Sequence, residues 1–135
     1  MTLPLNPGPI VLAVDDDAHM RTLIRSVLEA EEYAVHTAPG AVEAKLLFEE
    51  LRGRVDLLLT DIAMPGVMGT ELAREIRGGH PGVRLLYISR YSREELRNLG
   101  MDITGNRLLP KPFTPPQLVG AVRDALQEDP DAVAK

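Results

Sequence analysis

The chain has 135 residues, of which 44% are apolar and 26% charged, and a formal net charge of −5. That is one domain's length with enough apolar material for a real core, and the acidic balance argues against a general nucleic-acid surface, which needs a basic face. Cysteine is absent, which excludes disulfides, thiolate metal sites and a cysteine nucleophile and suits a cytoplasmic setting; no run approaches the roughly 18 apolar residues of a membrane span, and neither a signal peptide, a basic cluster nor a repeat is evident.

Residues 1–9 carry Pro4, Pro7, Gly8 and Pro9 and read as a flexible leader. "IVLAV" (Ile10 to Val14) is a continuous apolar run ended by charge, the pattern of a strand buried on both faces. Met20, Leu23, Ile24, Val27 and Leu28 then recur at spacings of three and four, one face of a helix. "YAVHTA" (Tyr33 to Ala38) favours strand but is interrupted by His36, which suits a sheet edge. Val42, Leu46, Leu47 and Leu51 suggest a second helical stripe.

"VDLLLT" (Val55 to Thr60) is a buried strand ending at Asp61, and "VRLLYIS" (Val83 to Ser89) is another. Leu72, Ala73 and Ile76 mark a short helix between them. Ser92 and Glu95 form a capping box that opens a further helix. Leu108 and Leu109 make a short strand before Lys111, Pro112 and Phe113. The last helix starts with Thr114 as N-cap, Pro115 in the first turn and Gln117 three residues after the cap. Its apolar face is Leu118, Ala121, Val122, Ala125 and Leu126. The expected organisation is a leader at 1–9, one domain at 10–128, and a short polar tail at 129–135 without an output domain.

Five alternating strands and amphipathic helices imply a parallel sheet covered on both faces, whose ligands bind beyond the carboxyl ends of the strands where the strand order reverses. The groups at those ends are Asp15, Asp16 and Asp17, then Asp61, Ser89 and Lys111. If the first and third strands are neighbours, Asp15, Asp16 and Asp61 converge. Unit charges about 4 Å apart repel by roughly 1 to 4 kcal/mol at intermediate dielectric, a conflict that a hard divalent cation removes. Carboxylate-only ligation favours Mg²⁺, with Mn²⁺ as the substitute. Lys111 adds a compact positive charge and Ser89 a hydroxyl donor. These parts suit phosphoryl transfer to a carboxylate. Taken singly each has a plainer explanation, since Asp-rich turns cap helices and lone Ser or Lys residues at strand ends are usually solvated. Their order at successive strand ends favours a phosphate or metal site.

Together, "VLAVDDD", "LLLTDIAMPGVMG", "LLYIS" and "LPKPF" resemble, in order and spacing, the receiver domain of bacterial two-component response regulators, over about Ile10 to Gln127. The resemblance implies a flavodoxin-like, doubly wound five-stranded sheet of order 2-1-3-4-5. It implies Asp61 as phospho-acceptor, Asp15 and Asp16 with the Ala63 backbone carbonyl as metal ligands, Ser89 as switch hydroxyl, and Lys111 as phosphate contact, followed by a cis bond to Pro112. The implied partners are a sensor or hybrid histidine kinase or a phosphotransfer protein, and a downstream target docking on the face of helix 4, strand 5 and helix 5. Direct nucleic-acid or membrane binding is not expected, nor is turnover as an enzyme. "ISRYSREELRNLGMDITGNRLLPKPFTPPQL" is further similar to receivers attached to hybrid kinases.

Three positions depart from the pattern. Met68 stands where the family often has Asp, Arg90 where a small residue is common, and Leu108 replaces the aromatic that swings inward with the switch hydroxyl. The resemblance further implies that Ala63 and Tyr91, two residues beyond Asp61 and Ser89, flank the path of the attacking water, and with no polar group at Ala63 and a bulky Tyr91 slow self-dephosphorylation is expected. The departures keep open a non-phosphorylated, receiver-like interaction module, while a hydrolase is disfavoured because Ala63 supplies no general acid. His19, His36 and His80 lie on separate elements and are not expected to act as ligands.

Overall fold

The computed structural model describes residues 8–128, so the expected leader and tail lie almost wholly outside it. Elements alternate without exception: β1 (Ile10–Val14), α1 (Ala18–Glu29), β2 (Ala34–Ala38), α2 (Ala41–Glu50), β3 (Leu57–Asp61), α3 (Gly69–Gly79), β4 (Arg84–Ser89), α4 (Arg93–Asn98), β5 (Arg107–Pro110) and α5 (Pro115–Gln127). All sheet pairings are parallel and the order is β2-β1-β3-β4-β5. The expected strand order is therefore present, with β2 at one edge. The order reverses between β1 and β3, placing a crevice at their carboxyl ends.

Alternating strand residues feed two cores. Leu12, Val14, Leu58, Leu85 and Tyr87 face one way, against Phe48 of α2, Leu72, Ala73 and Ile76 of α3, and Leu96 of α4. Val11, Ala13, Leu57, Leu59, Leu86 and Ile88 face the other, against Ile24 and Leu28 of α1 and Leu118, Val122 and Ala125 of α5. Burial on both faces explains why β1 and β3 read as continuous apolar runs rather than alternating ones.

Two expected helix faces need correction. In α2 the buried residues are Ala41, Ala44 and Phe48, while Val42 and Leu46 are 61% and 56% exposed. Leu47 and Leu51 only flank the core. The two alanines leave the inner side slim, so the helix seats through Phe48 and turns its bulkier apolar residues outward. In α1, Leu23 is 38% exposed, and Ile24 and Leu28 carry the packing. The capping boxes of α4 and α5 form as expected, with Ser92 paired to Glu95 and Thr114 to Gln117. No helix among the described residues is long and apolar enough to cross a membrane.

Candidate functional site

The aspartate triplet separates into three environments. Asp15 is fully buried and Asp16 exposed. Asp15 is fixed on all sides: its N–H donates to the Ala38 carbonyl at 3.2 Å, its Oδ1 accepts the Asp17 N–H at 2.9 Å, and Arg21 Nη1 donates to its carbonyl at 2.6 Å. Asp17 caps α1 by accepting the His19 N–H at 2.9 Å, as its position before the helix implied.

Asp61 is the last residue of β3 and is 8% exposed. The Thr60 hydroxyl donates to its carbonyl, and Gly69 at the start of α3 lies so near that a Cβ there would stand 2.0 Å from the same oxygen. Only glycine permits that approach. Ser89 ends β4 with 1% exposure, and its hydroxyl oxygen accepts the Tyr91 N–H at 2.9 Å. Lys111 follows β5, tied by its N–H to the Ser89 carbonyl at 2.8 Å. Its Nζ donates to Asp15 Oδ2 at 2.8 Å and to Asp61 Oδ2 at 3.2 Å. The Lys111–Pro112 bond is cis.

One open cleft collects Asp15, Asp16, Asp61, Ala63, Ser89 and Lys111, so every residue expected at the site lines it. Carboxylate oxygens of Asp15, Asp16 and Asp61 lie within 4.8 Å of one another. Burial pushes the Asp61 carboxyl above the ordinary carboxylate range; Lys111 works against this, while Asp15 and Asp16 reinforce it. Burial also opposes the charge on Lys111, but its bond to Asp15 and the charges of Asp61 and Asp15 outweigh this and hold its pKa above that of a free lysine. Three close carboxylates against one ammonium leave an excess of negative charge. Oxygen donors and an uncompensated negative charge fit a hard divalent cation.

The three departures have clear places. Met68 is the N-cap of α3 and makes no side-chain capping bond. Arg90 and Tyr91 both line the cleft. Leu108 pairs across the sheet with Tyr87, and both pack in the core shared with α2, α3 and α4. As expected, β5 carries Leu108 where the family has an aromatic, and the residue directly beside it on β4 is Tyr87. Arg21 and Tyr87 carry no local sequence signal, whereas Gly69 ends the LLLTDIAMPGVMG stretch eight residues after Asp61. His80 packs edge-on against Phe48 with centroids 4.8 Å apart, a core-edge role.

A family profile described as the response regulator receiver domain matches residues 11–123. Sensor kinase CckA of Brucella abortus (strain 2308) is 36% identical over 125 residues, covering 92% of this chain. The chain spans only 13% of that kinase and about half of the transcriptional regulators it also matches. Among solved structures, the receiver domain from hybrid histidine kinase CckA superposes with a TM-score of 0.74 at 32% identity, covering 87% of this chain and 99% of that one. The response regulator TrrA of Thermotoga maritima, solved in complex with Mg²⁺-BeF, gives 0.70 at 31% identity, covering 87% and 98%.

Proposed function

The chain belongs to the response regulator receiver domain family, and on that premise we propose that it is a phosphorylation switch in which Asp61 accepts a phosphoryl group from a phosphohistidine donor. The observation that carries this reading is the Lys111 ammonium held between Asp15 Oδ2 and Asp61 Oδ2 inside the cleft that Ser89 also lines. A carboxylate oxygen of Asp61 attacks phosphorus, and the bond to the donor imidazole breaks as the acyl phosphate forms. Lys111 faces the incoming oxygens, and the Ser89 hydroxyl, whose oxygen already accepts from Tyr91, has its proton free to donate to one of them. Asp15, Asp16 and Asp61, with the Ala63 carbonyl, are the residues that would hold Mg²⁺ or Mn²⁺, which would neutralise charge on the phosphoryl oxygens.

The donor side is a sensor or hybrid histidine kinase or a phosphotransfer protein, and the setting is the cytoplasm. The output is a change in affinity for a protein docking on α4, β5 and α5, where Leu99 at the end of α4 is 58% exposed. The chain performs its own phosphorylation and dephosphorylation and does not turn over a substrate.

Incubation with Mg²⁺ and acetyl phosphate, read by intact mass, tests the proposal. Wild type should gain one phosphoryl group and Asp61→Asn none. No gain in wild type would leave the non-phosphorylated interaction module, and continuous phosphate release would leave a hydrolase.

A further inference from the structure

Away from the aspartates, arginines distant in sequence gather along one side of the fold, a cluster that the sequence did not reveal. A groove of about 260 Å³ runs between α3 and the loop joining α4 to β5, lined by Thr70, Arg74 and Arg77 on one side and Asp102 and Asn106 on the other, over Tyr87. It continues at Arg77 into a smaller hollow lined by Arg84, Arg107 and Glu128. Its volume is well beyond the ~10–15 Å³ that one water needs.

The charges there are not all committed. Arg107 is paired with the Glu128 carboxylate, and Arg84 Nε donates to the Glu128 carbonyl at 2.9 Å. These two arginines clamp the end of α5. Arg77 differs, because its Nε is buried without a hydrogen-bond partner among the described residues. A buried guanidinium N–H without an acceptor is uncommon and calls for one. Asp102 does not supply it: its carboxylate accepts the N–H and hydroxyl of Thr104. In the groove itself, among the described residues, Arg74 and Arg77 against Asp102 leave one positive charge in excess, although the whole chain carries −5.

We propose that this groove binds a small phosphate-bearing anion, with Arg77 and Arg74 as its cationic contacts and the Tyr87 and Thr70 hydroxyls as neutral donors. The local excess of positive charge favours an anion, and Arg74 and Arg77, three residues apart on α3, stand on the same side of the helix. Burial pushes the Tyr87 hydroxyl up to about 12, with Arg77 and Arg74 opposing, so at neutral pH it keeps its proton and can donate.

The site is independent of Asp61, and the test keeps the two apart. The full chain, free of divalent cation, is titrated with inorganic phosphate and pyrophosphate, with sodium chloride at matched ionic strength as control, while backbone amide shifts are followed by NMR. Saturable shifts at Thr70, Arg77 and Asn106 are expected. Arg77→Gln or Arg74→Gln should weaken binding by about tenfold, the worth of a charge-assisted hydrogen bond. Asp102→Asn should tighten it a few-fold by removing a facing carboxylate, and Asp61→Asn should leave it unchanged. Shifts that sodium chloride reproduces, shifts centred on Asp15 and Asp61, or an unaltered Arg77→Gln titration would each overturn the proposal. So would binding of an Asp-rich peptide without binding of either phosphate, which would make the groove a protein-docking surface instead.

Discussion

Asp61 sits in a place that disfavours its anion, because burial and two neighbouring carboxylates outweigh the help of Lys111. Its pKa in the folded protein is therefore raised. A group so shifted contributes stability that is fully present below its unfolded pKa near ~4 and is lost as pH rises through the folded value. Asp61→Asn removes that loss. Without divalent cation, the variant should exceed wild type in stability at about pH 7, and the gap should close towards about pH 4. Urea midpoints of both proteins across that range measure it; a constant gap would show that Asp61 is not the titrating group. Gly69 acts on the same residue through shape. A Cβ at position 69 meets the Asp61 carbonyl at 2.0 Å, so Gly69→Ala should cost about 1 to 3 kcal/mol as an overpacking change and reduce phosphorylation by acetyl phosphate. Water access is the third consequence at this scale. Ala63 offers no polar side chain to orient a water, while Arg90 and Tyr91 line the cleft, so the phosphoryl group once formed should be lost slowly. Arg90→Ala should shorten its lifetime, followed as loss of the phosphoryl mass over time.

Elements place these residues by two kinds of pattern, and the sequence exposes one better than the other. Capping is local: Asp17, Ser92 and Thr114 each accept a hydrogen bond from a backbone N–H two or three residues on, and short spacing along the chain is enough to find them. Which side of a helix faces the sheet is not always local. α2 carries apolar residues most of the way round, and the bulky Val42 and Leu46 suggest a face that the packing rejects in favour of Ala41, Ala44 and Phe48. The two faces can be told apart by substitution. Phe48→Ala should cost about 3 to 5 kcal/mol, as expected for a buried aromatic, whereas Leu46→Lys should stay within about 0.5 kcal/mol as a surface change. Chemical denaturation of both variants decides between the two faces.

At the scale of the molecule, the parallel sheet brings strand ends together that are far apart in the chain. Lys111 lies 96 residues from Asp15 and 50 from Asp61, yet bonds both. A cation binding the folded state should stabilise the whole domain by mass action, by about 2.7 kcal/mol at a hundredfold excess over its dissociation constant. Thermal unfolding with and without Mg²⁺ should show that gain in wild type and lose most of it in Asp16→Asn. By itself the sequence determined the alternation of strands and helices, the helix caps and the candidate residues at the strand ends, because each is written in the spacing of near neighbours. The resemblance to receivers supplied the strand order, which apolar periodicity alone does not contain. Tertiary structure alone decided that Lys111 sits nearer Asp15 than Asp61, that Arg21 grips the Asp15 carbonyl, that Tyr87 stands beside Leu108, and that Arg77, Arg84 and Arg107 line one small hollow. Those contacts join residues on different elements, and their partners are chosen by register and packing across the sheet, which no local pattern along the chain encodes.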